Sequence, residues 1–162
     1  MKKILTTEEA VKLAEKLRGQ HKRIVLVGGC FDILHIGHIA FLENAKKQGD
    51  FLFVLLEHDE SVRALKGSDR PINTQDNRAH VLSALRTVDT VIPLPKKLDD
   101  ISYDRLTQQI KPAIIAITKH DPFKKQKQRQ AEKTGAKVIE VIAPLADTST
   151  SKLAQLLAER LY

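Results

Sequence analysis

The densest concentration of chemistry in this sequence is Val27-Gly28-Gly29-Cys30-Phe31-Asp32-Ile33-Leu34-His35-Ile36-Gly37-His38. The β-branched and apolar run Ile24 to Val27 reads as a strand, so Gly28 and Gly29 follow its end, where they let the backbone turn tightly and come close to a ligand. A helix is expected to begin near Gly37 and to aim free N–H groups at whatever lies in front of that turn. His35 and His38 are three apart across its opening turn, a spacing that puts both imidazoles on one side, able to donate to phosphate oxygens. Gly37 between them keeps a side chain out of the space a nucleotide would occupy. A His-x-x-His pair can also be half of a zinc site, but Cys30 is the one further ligand nearby, so no metal site is assigned. A second cluster is the hydroxyl run Thr148-Ser149-Thr150-Ser151, placed before a predicted helix over Ser149 to Leu161. A helix cap needs one hydroxyl; four of them at a positive dipole end suit the grip of phosphate groups.

These residues must be positioned by a scaffold, and the periodicity supplies one. Strands are expected at Ile24 to Val27, Phe51 to Leu56, Val91 to Leu94, Ala113 to Ile117 and Val138 to Ile142. Helices are expected between them, at Ile39 to Gln48, Gln75 to Arg86, Ser102 to Ile110 and Pro122 to Thr134, with the last over Ser149 to Leu161. An additional helix within residues 1–20 precedes the first strand, with Thr6 and Glu9 spaced as a capping box and Gly19 as its stop. The alternation implies an α/β fold: a single Rossmann-like domain spanning residues 1–162, with a five-stranded parallel sheet covered by helices on both faces. In such a sheet ligands bind beyond the carboxyl ends of the strands, near the reversal of strand order. The polar stretch Lys66 to Thr74 reads as a loop and a candidate lid.

Composition sets the outer limits. At 162 residues the chain is the size of one domain, and 42% hydrophobic with 29% charged residues is ordinary globular composition, which excludes disordered and collagen-like classes. One cysteine excludes an intramolecular disulfide, and with no run approaching a membrane span the expected location is cytoplasmic. Net charge is +7, of which Lys119 to Lys133 supplies +4: Lys119, Lys124, Lys125, Lys127, Arg129 and Lys133 against Asp121 and Glu132. With no Trp and only two Tyr and five Phe, a stacking surface for nucleic acid has little to draw on, so this segment is read as a solvated helix face rather than an RNA patch.

Gly29-Cys30-Phe31-Asp32 followed by His35-Ile36-Gly37-His38 resembles the signature of the cytidylyltransferase-like nucleotidyltransferases, whose H-x-G-H motif is shared with class I aminoacyl-tRNA synthetases. The likeness continues through Leu65-Lys66-Gly67, Arg70-Pro71-Ile72-Asn73, Arg78 and Val88-Asp89, and ends at Thr148 to Lys152. Its wording is most similar to the heptose 1-phosphate adenylyltransferases. The resemblance implies that a substrate phosphate attacks the α-phosphorus of a nucleoside triphosphate and releases pyrophosphate, with Mg2+ bridging the nucleotide phosphates and no protein nucleophile. By resemblance, His35, His38, Lys66 and Arg78 are the catalytic residues, the last two as cationic arms. Gly28, Gly29, Cys30, Phe31, Asp32, Gly37, Asp121, Thr148, Ser149, Thr150 and Ser151 are implied to bind the nucleotide. Asp32 is expected to order the loop by accepting backbone hydrogen bonds, because the attacking phosphate is already ionised. The expected partners are ATP and a phosphorylated sugar, with a homodimer implied by the relatives. The alternatives are glycerol 3-phosphate with CTP, FAD synthesis, or a non-catalytic nucleotide- or RNA-binding module. One segment departs from the family: Thr118-Lys119-His120-Asp121-Pro122 keeps only the Asp of the expected Gly-Gly-Asp or Gly-Asp-Asp, which leaves base identity open.

Overall fold

The computed structural model describes residues 2–96 and 98–144. The hydroxyl run Thr148, Ser149, Thr150 and Ser151 and the helix expected over Ser149 to Leu161 lie outside the described residues. The chain runs α1 (Thr7–Gly19), β1 (Ile24–Gly29), α2 (Ile36–Lys46), β2 (Phe51–Leu56), α3 (Asp59–Lys66), α4 (Gln75–Ala84), β3 (Thr90–Pro93), α5 (Asp100–Ile110), β4 (Ile114–Thr118), α6 (Lys124–Thr134) and β5 (Lys137–Ile142). The five strands form one parallel sheet in the order β3-β2-β1-β4-β5. The chain moves outward from β1 to β3, then crosses back to lay β4 on the other side of β1, so strand order reverses between β1 and β4.

Strand alternation sends successive side chains to opposite faces, and here both faces are apolar because both are covered. Val25 and Val27 of β1 join Leu52, Val54 and Leu56 of β2 in one core with Phe41, Leu42 and Ala45 of α2 and Leu82 of α4. Ile24 and Leu26 face the other way, into a core with Phe53 and Leu55, Ala10, Ala14 and Leu17 of α1, and Leu106 and Ile110 of α5. The helix preceding the first strand thus packs on the sheet beside α5.

Element boundaries shift where local hydrogen bonds override pattern. The capping box is present: the Glu9 amide donates to Thr6 Oγ1 at 3.2 Å and the Thr6 amide to Glu9 Oε2 at 2.8 Å. Gly19, expected as the stop, lies inside the helix, and the left-handed residue is His21, at φ 56°. There the Lys22 amide reaches back to the Leu17 carbonyl at 2.9 Å, which closes the helix without glycine. Helix α2 begins three residues before its apolar pattern does, because His35 takes the extended cap conformation and its carbonyl accepts from the amides of His38 and Ile39. Helix α6 begins after Pro122, since the Asp121 carboxylate takes the Phe123 amide at 2.7 Å. Helix α3 has no counterpart in the periodicity reading. Its eight residues bury only Val62, too little for an apolar repeat to register.

Candidate active site

The crevice at the carboxyl ends of β1 and β4 holds a cavity of about 270 Å3. Its lining brings together Gly28, Gly29, Cys30, Phe31, Asp32, His35, Gly37, His38, Lys66 and Asp121 from three separate segments of the sequence. Phe41, Thr118, Ile142, Ala143 and Pro144 complete the wall.

The histidines meet as their spacing requires. His35 caps α2, His38 sits one turn in, and their rings stack with centroids 3.8 Å apart and planes 26° apart. Phe31 closes the other side of His38, its ring centroid 5.3 Å away. Burial is the main cause that lowers the His38 pKa to about 4, followed by the neighbouring His35 and Lys66; the Ile33 backbone and the Asp32 charge oppose it. Burial, then Lys66, also holds His35 below the usual histidine range. Both rings are therefore neutral at pH 7, each with one N–H to donate. The Nδ1 of His35 is buried without a hydrogen-bond partner among the described residues, a cost that a bound acceptor or donor would relieve. The amides of Ile36 and Gly37, in the first turn of α2, have no intrahelical acceptor and open at the same end of the helix.

The glycine pair has a reason beyond ligand approach. A Cβ on Gly28 would lie 2.6 Å from the hydroxyl of Tyr103, and one on Gly29 would lie 3.0 Å from the Phe31 ring. Phe31 itself is held at φ 44°, in the left-handed region that a bulky side chain adopts only when its surroundings enforce it. Here the enforcement is the packing of its ring, 5% exposed, against His38.

Asp32 does order a loop by accepting backbone hydrogen bonds, but the loop is one 40 residues downstream. Its carboxylate accepts from the amides of Ile72 and Asn73, both at 2.9 Å, and from Arg70 Nε at 2.7 Å. Burial alone would push its pKa up, and these bonds together with the Arg70 charge hold it below the usual carboxylate range. Residues 70–73 are therefore tied to the floor of the cavity rather than free as a lid. Lys66 to Asp69 stay exposed, as do Ile72 and Thr74, and Lys66 at the end of α3 is turned to the cavity.

Arg78, expected as a cationic arm, is not among the residues that line the cavity. Its side chain is fully buried, and its guanidinium donates to the carbonyls of Cys30, Asn73 (3.0 Å) and Glu57 (2.8 Å) and to the Asp59 carboxylate (2.7 Å). Five donors in a planar fork hold together the ends of β1 and β2 and the loop before α4, a task a surface charge could not do. Nothing in the local sequence distinguishes a hub arginine from an exposed one; the signal is tertiary.

Asp121 lines the cavity at its far wall, its carboxylate already accepting from the Phe123 amide and from Lys127 Nζ at 2.8 Å. The basic segment is largely neutralised from within. Lys124 pairs with Glu140 at 2.8 Å, Arg129 and Lys133 with the buried Asp104 at 3.3 and 2.8 Å, and Lys127 with Asp121. Among the described residues no group of three or more His, Cys, Asp or Glu could hold a metal ion, and no helix is long and apolar enough to cross a membrane.

Comparison with known proteins agrees with this geometry. Residues 26–155 match the cytidylyltransferase-like family. The chain is 46% identical over 112 residues to the bifunctional protein HldE of Aliarcobacter butzleri, a match covering 69% of this chain and 23% of that relative, so it spans about a quarter of the length of the curated protein. A solved structure described as the lipopolysaccharide core biosynthesis protein from Thermoplasma volcanium superposes with a TM-score of 0.61 at 30% identity, over 76% of this chain and 97% of that one. The pantoate-beta-alanine ligase of Francisella tularensis, at 16% identity and a TM-score of 0.60 over 99% of this chain and 79% of that one, shares the fold. With its glycine turn, stacked histidines and strand reversal all inside the matched segment, the chain belongs to the cytidylyltransferase-like family of nucleotidyltransferases.

Proposed function

We propose that this chain transfers a nucleoside monophosphate from ATP to a phosphorylated sugar and releases pyrophosphate. The observation that carries the reading is the pair of neutral, stacked imidazoles at the N-terminal end of α2, sharing one cavity with Lys66. That array offers donors for phosphate oxygens and includes no activated nucleophile, which suits a reaction whose nucleophile arrives with the substrate.

In the proposed step an oxygen of the acceptor phosphate forms a bond to the α-phosphorus while the bond from that phosphorus to the oxygen bridging to the β-phosphorus breaks, and the electron pair leaves with pyrophosphate. His35 and His38 donate to phosphoryl oxygens as charge builds there, and Lys66, in the same cavity, adds a positive charge. Phe31 and the α2 helix fix the imidazoles, and Asp32 fixes the segment after Lys66. Thr148, Ser149, Thr150 and Ser151 are proposed to grip the β- and γ-phosphates.

Mg2+ belongs to this proposal as a companion of the nucleotide, where it neutralises phosphate charge. The described residues do not build a site for it alone, because the carboxylates of Asp32 and Asp121 are both engaged by protein donors. ATP and a sugar phosphate are favoured by the likeness of Cys30, Leu65-Lys66-Gly67 and Arg70-Pro71-Ile72-Asn73 to heptose 1-phosphate adenylyltransferases. The RNA-binding alternative rested on the basic segment, in which Lys124, Lys127, Arg129 and Lys133 are paired with acids of the same fold. The test is pyrophosphate release with ATP, CTP, GTP and UTP, each against heptose 1-phosphate, glycerol 3-phosphate, FMN and ethanolamine phosphate, with Mg2+ present. Turnover confined to ATP with the sugar phosphate is expected; turnover confined to CTP would overturn the adenylyl assignment.

A further inference from the structure

A second cavity, of about 300 Å3, lies against the same strand end as the first, and Gly28, Gly29 and Cys30 line both. One ion pair joins their other walls. Asp121 belongs to the lining of the first cavity and Lys127, in the first turn of α6, to that of the second, and Lys127 Nζ donates to the Asp121 carboxylate at 2.8 Å. Both side chains are largely withdrawn from solvent, at 15% exposure for the lysine and 11% for the aspartate.

We propose that Lys127 is a positioning residue for the nucleotide: it neutralises and holds the Asp121 carboxylate, so that an acidic group can stand in a cavity that takes a triphosphate. The inference rests on the nucleotidyl-transfer reading of the first cavity.

On charge alone a carboxylate is out of place there. A triphosphate brings acceptors and several negative charges, and the groups in the lining that answer it are His35, His38 and Lys66. Asp121 can only accept, and a nucleoside triphosphate carries its donors on the ribose hydroxyls and on the exocyclic amine of the base. The phosphates therefore belong to the histidines and Lys66, and the nucleoside to Asp121. Uncompensated, that carboxylate would repel the phosphates in the same cavity. Two protein donors hold it: the Phe123 amide reaches Oδ1 at 2.7 Å and Lys127 reaches Oδ2 at 2.8 Å, which leaves a lone pair on each oxygen for a ligand. The amide fixes direction, but only the lysine cancels charge.

The surroundings make this lysine specific to the task. The loop backbone is already fixed, with the Lys119 amide on the Ile142 carbonyl at 2.8 Å and the Asp121 amide on the Thr118 carbonyl at 3.2 Å. Helix α6 is tied to β5 by Lys124 with Glu140 at 2.8 Å, and to α5 by the Asp104 carboxylate, which accepts from Gln130 at 3.0 Å and Lys133 at 2.8 Å. Docking of the helix thus has other anchors. Glu57, which follows β2, is the second carboxylate that Lys127 influences: burial pushes its carboxyl up, and Lys127, then Arg78, oppose this. Tyr103, whose hydroxyl occupies the space a Gly28 Cβ would need, stays protonated, because burial, then Glu57 and Asp121, push its pKa up. It adds no charge, and the ion pair of Asp121 among the described residues is with Lys127.

The test measures binding of α,β-methylene-ATP with Mg2+ by calorimetry, and KM and kcat for ATP by pyrophosphate release. Lys127→Met should weaken the analogue about tenfold, the size of one charged hydrogen bond, and raise the KM for ATP in proportion while kcat stays within about twofold. Lys127→Gln keeps a donor in the same space and removes only charge, so it should still weaken binding at least about threefold, which covers the case of a methionine variant that does not fold. In an Asp121→Asn background the same Lys127→Met change should cost less than about threefold, because the lysine acts through that carboxylate. Lys124→Met, which breaks an ion pair of the same helix, should leave binding within about twofold. Wild-type affinity in both Lys127 variants, a full tenfold loss in the Asp121→Asn background, or an equal loss from Lys124→Met would each overturn the proposal. The two readings fail separately. Lys127-dependent binding without pyrophosphate release from ATP overturns nucleotidyl transfer and keeps the positioning role, whereas turnover whose KM for ATP ignores Lys127→Met keeps the transfer and removes the role.

Discussion

At the scale of single residues, the proposed transfer depends on two stacked imidazoles that burial keeps neutral. Replacing one donor of this kind should cost roughly 10²-fold or more in turnover, so His38→Ala is expected to lose at least that in kcat with a smaller change in nucleotide affinity. Normal turnover would remove His38 from the mechanism. The pH dependence has a definite sign. With a folded pKa of about 4 against an ordinary 6.5, His38 takes up a proton in the unfolded chain before the folded one as pH falls. Its contribution to stability is therefore complete above about pH 6.5 and declines as pH drops through the window to 4. Proton NMR of the His38 ring should place its midpoint well under 6.5, and triphosphate should raise it, since an anion favours the imidazolium. Gly37 makes the complementary steric case. Gly37→Leu should abolish triphosphate binding, read by calorimetry, while the Tm moves by only a few degrees; unaltered binding would move the nucleotide elsewhere.

At the scale of elements, the loops are held by hydrogen bonds between distant segments rather than by their own turns. Arg78 joins the ends of β1 and β2 to the loop before α4, and Asp32 joins the first loop to residues 70–73. Arg78→Met leaves three carbonyls and the Asp59 carboxylate without their donor, and breaking a buried ionic network of this kind costs about 3–5 kcal/mol, or about 10 °C in Tm for a domain of this size. Arg78→Lys should recover little of it, because an ammonium cannot reach acceptors in three directions from one plane. Calorimetric unfolding of both variants checks this: a lysine variant as stable as wild type would show that the charge matters and the fork does not. Such a result would also return Arg78 to the role of a simple cation.

At the scale of the whole molecule, one sheet serves two cavities by ending where its strand order reverses, and the net charge of +7 is less available than its size implies. Much of the basic segment faces acids of the same fold, while Lys119 and Lys125 form no ion pair among the described residues. Gel shifts with RNA at two salt concentrations should therefore show no complex tighter than the micromolar range typical of non-specific binding. A tight complex with a steep salt slope, flattened by Lys119→Glu with Lys125→Glu, would instead identify an RNA surface.

What could be read from the sequence was what depends on near neighbours. Phe51 to Leu56 is a strand because six consecutive apolar residues must be buried on both sides, and Thr6 with Glu9 caps a helix because three residues span one turn. The His35 and His38 pair belongs to the same class, since helical spacing alone puts both rings on one side. What only the tertiary structure decided involves partners far apart along the chain. Arg78 and a surface arginine look alike until the fold brings Cys30, Glu57 and Asn73 around one of them. Asp32 was legible as an acceptor, but its donors at residues 70–73 were not, and the closure of that 40-residue loop turned a polar stretch into part of the floor. Glu57 and Tyr103 carried no local signal at all: their meeting behind Gly28 follows from the parallel register of β1 with β2 and the packing of α5, which no short-range pattern encodes.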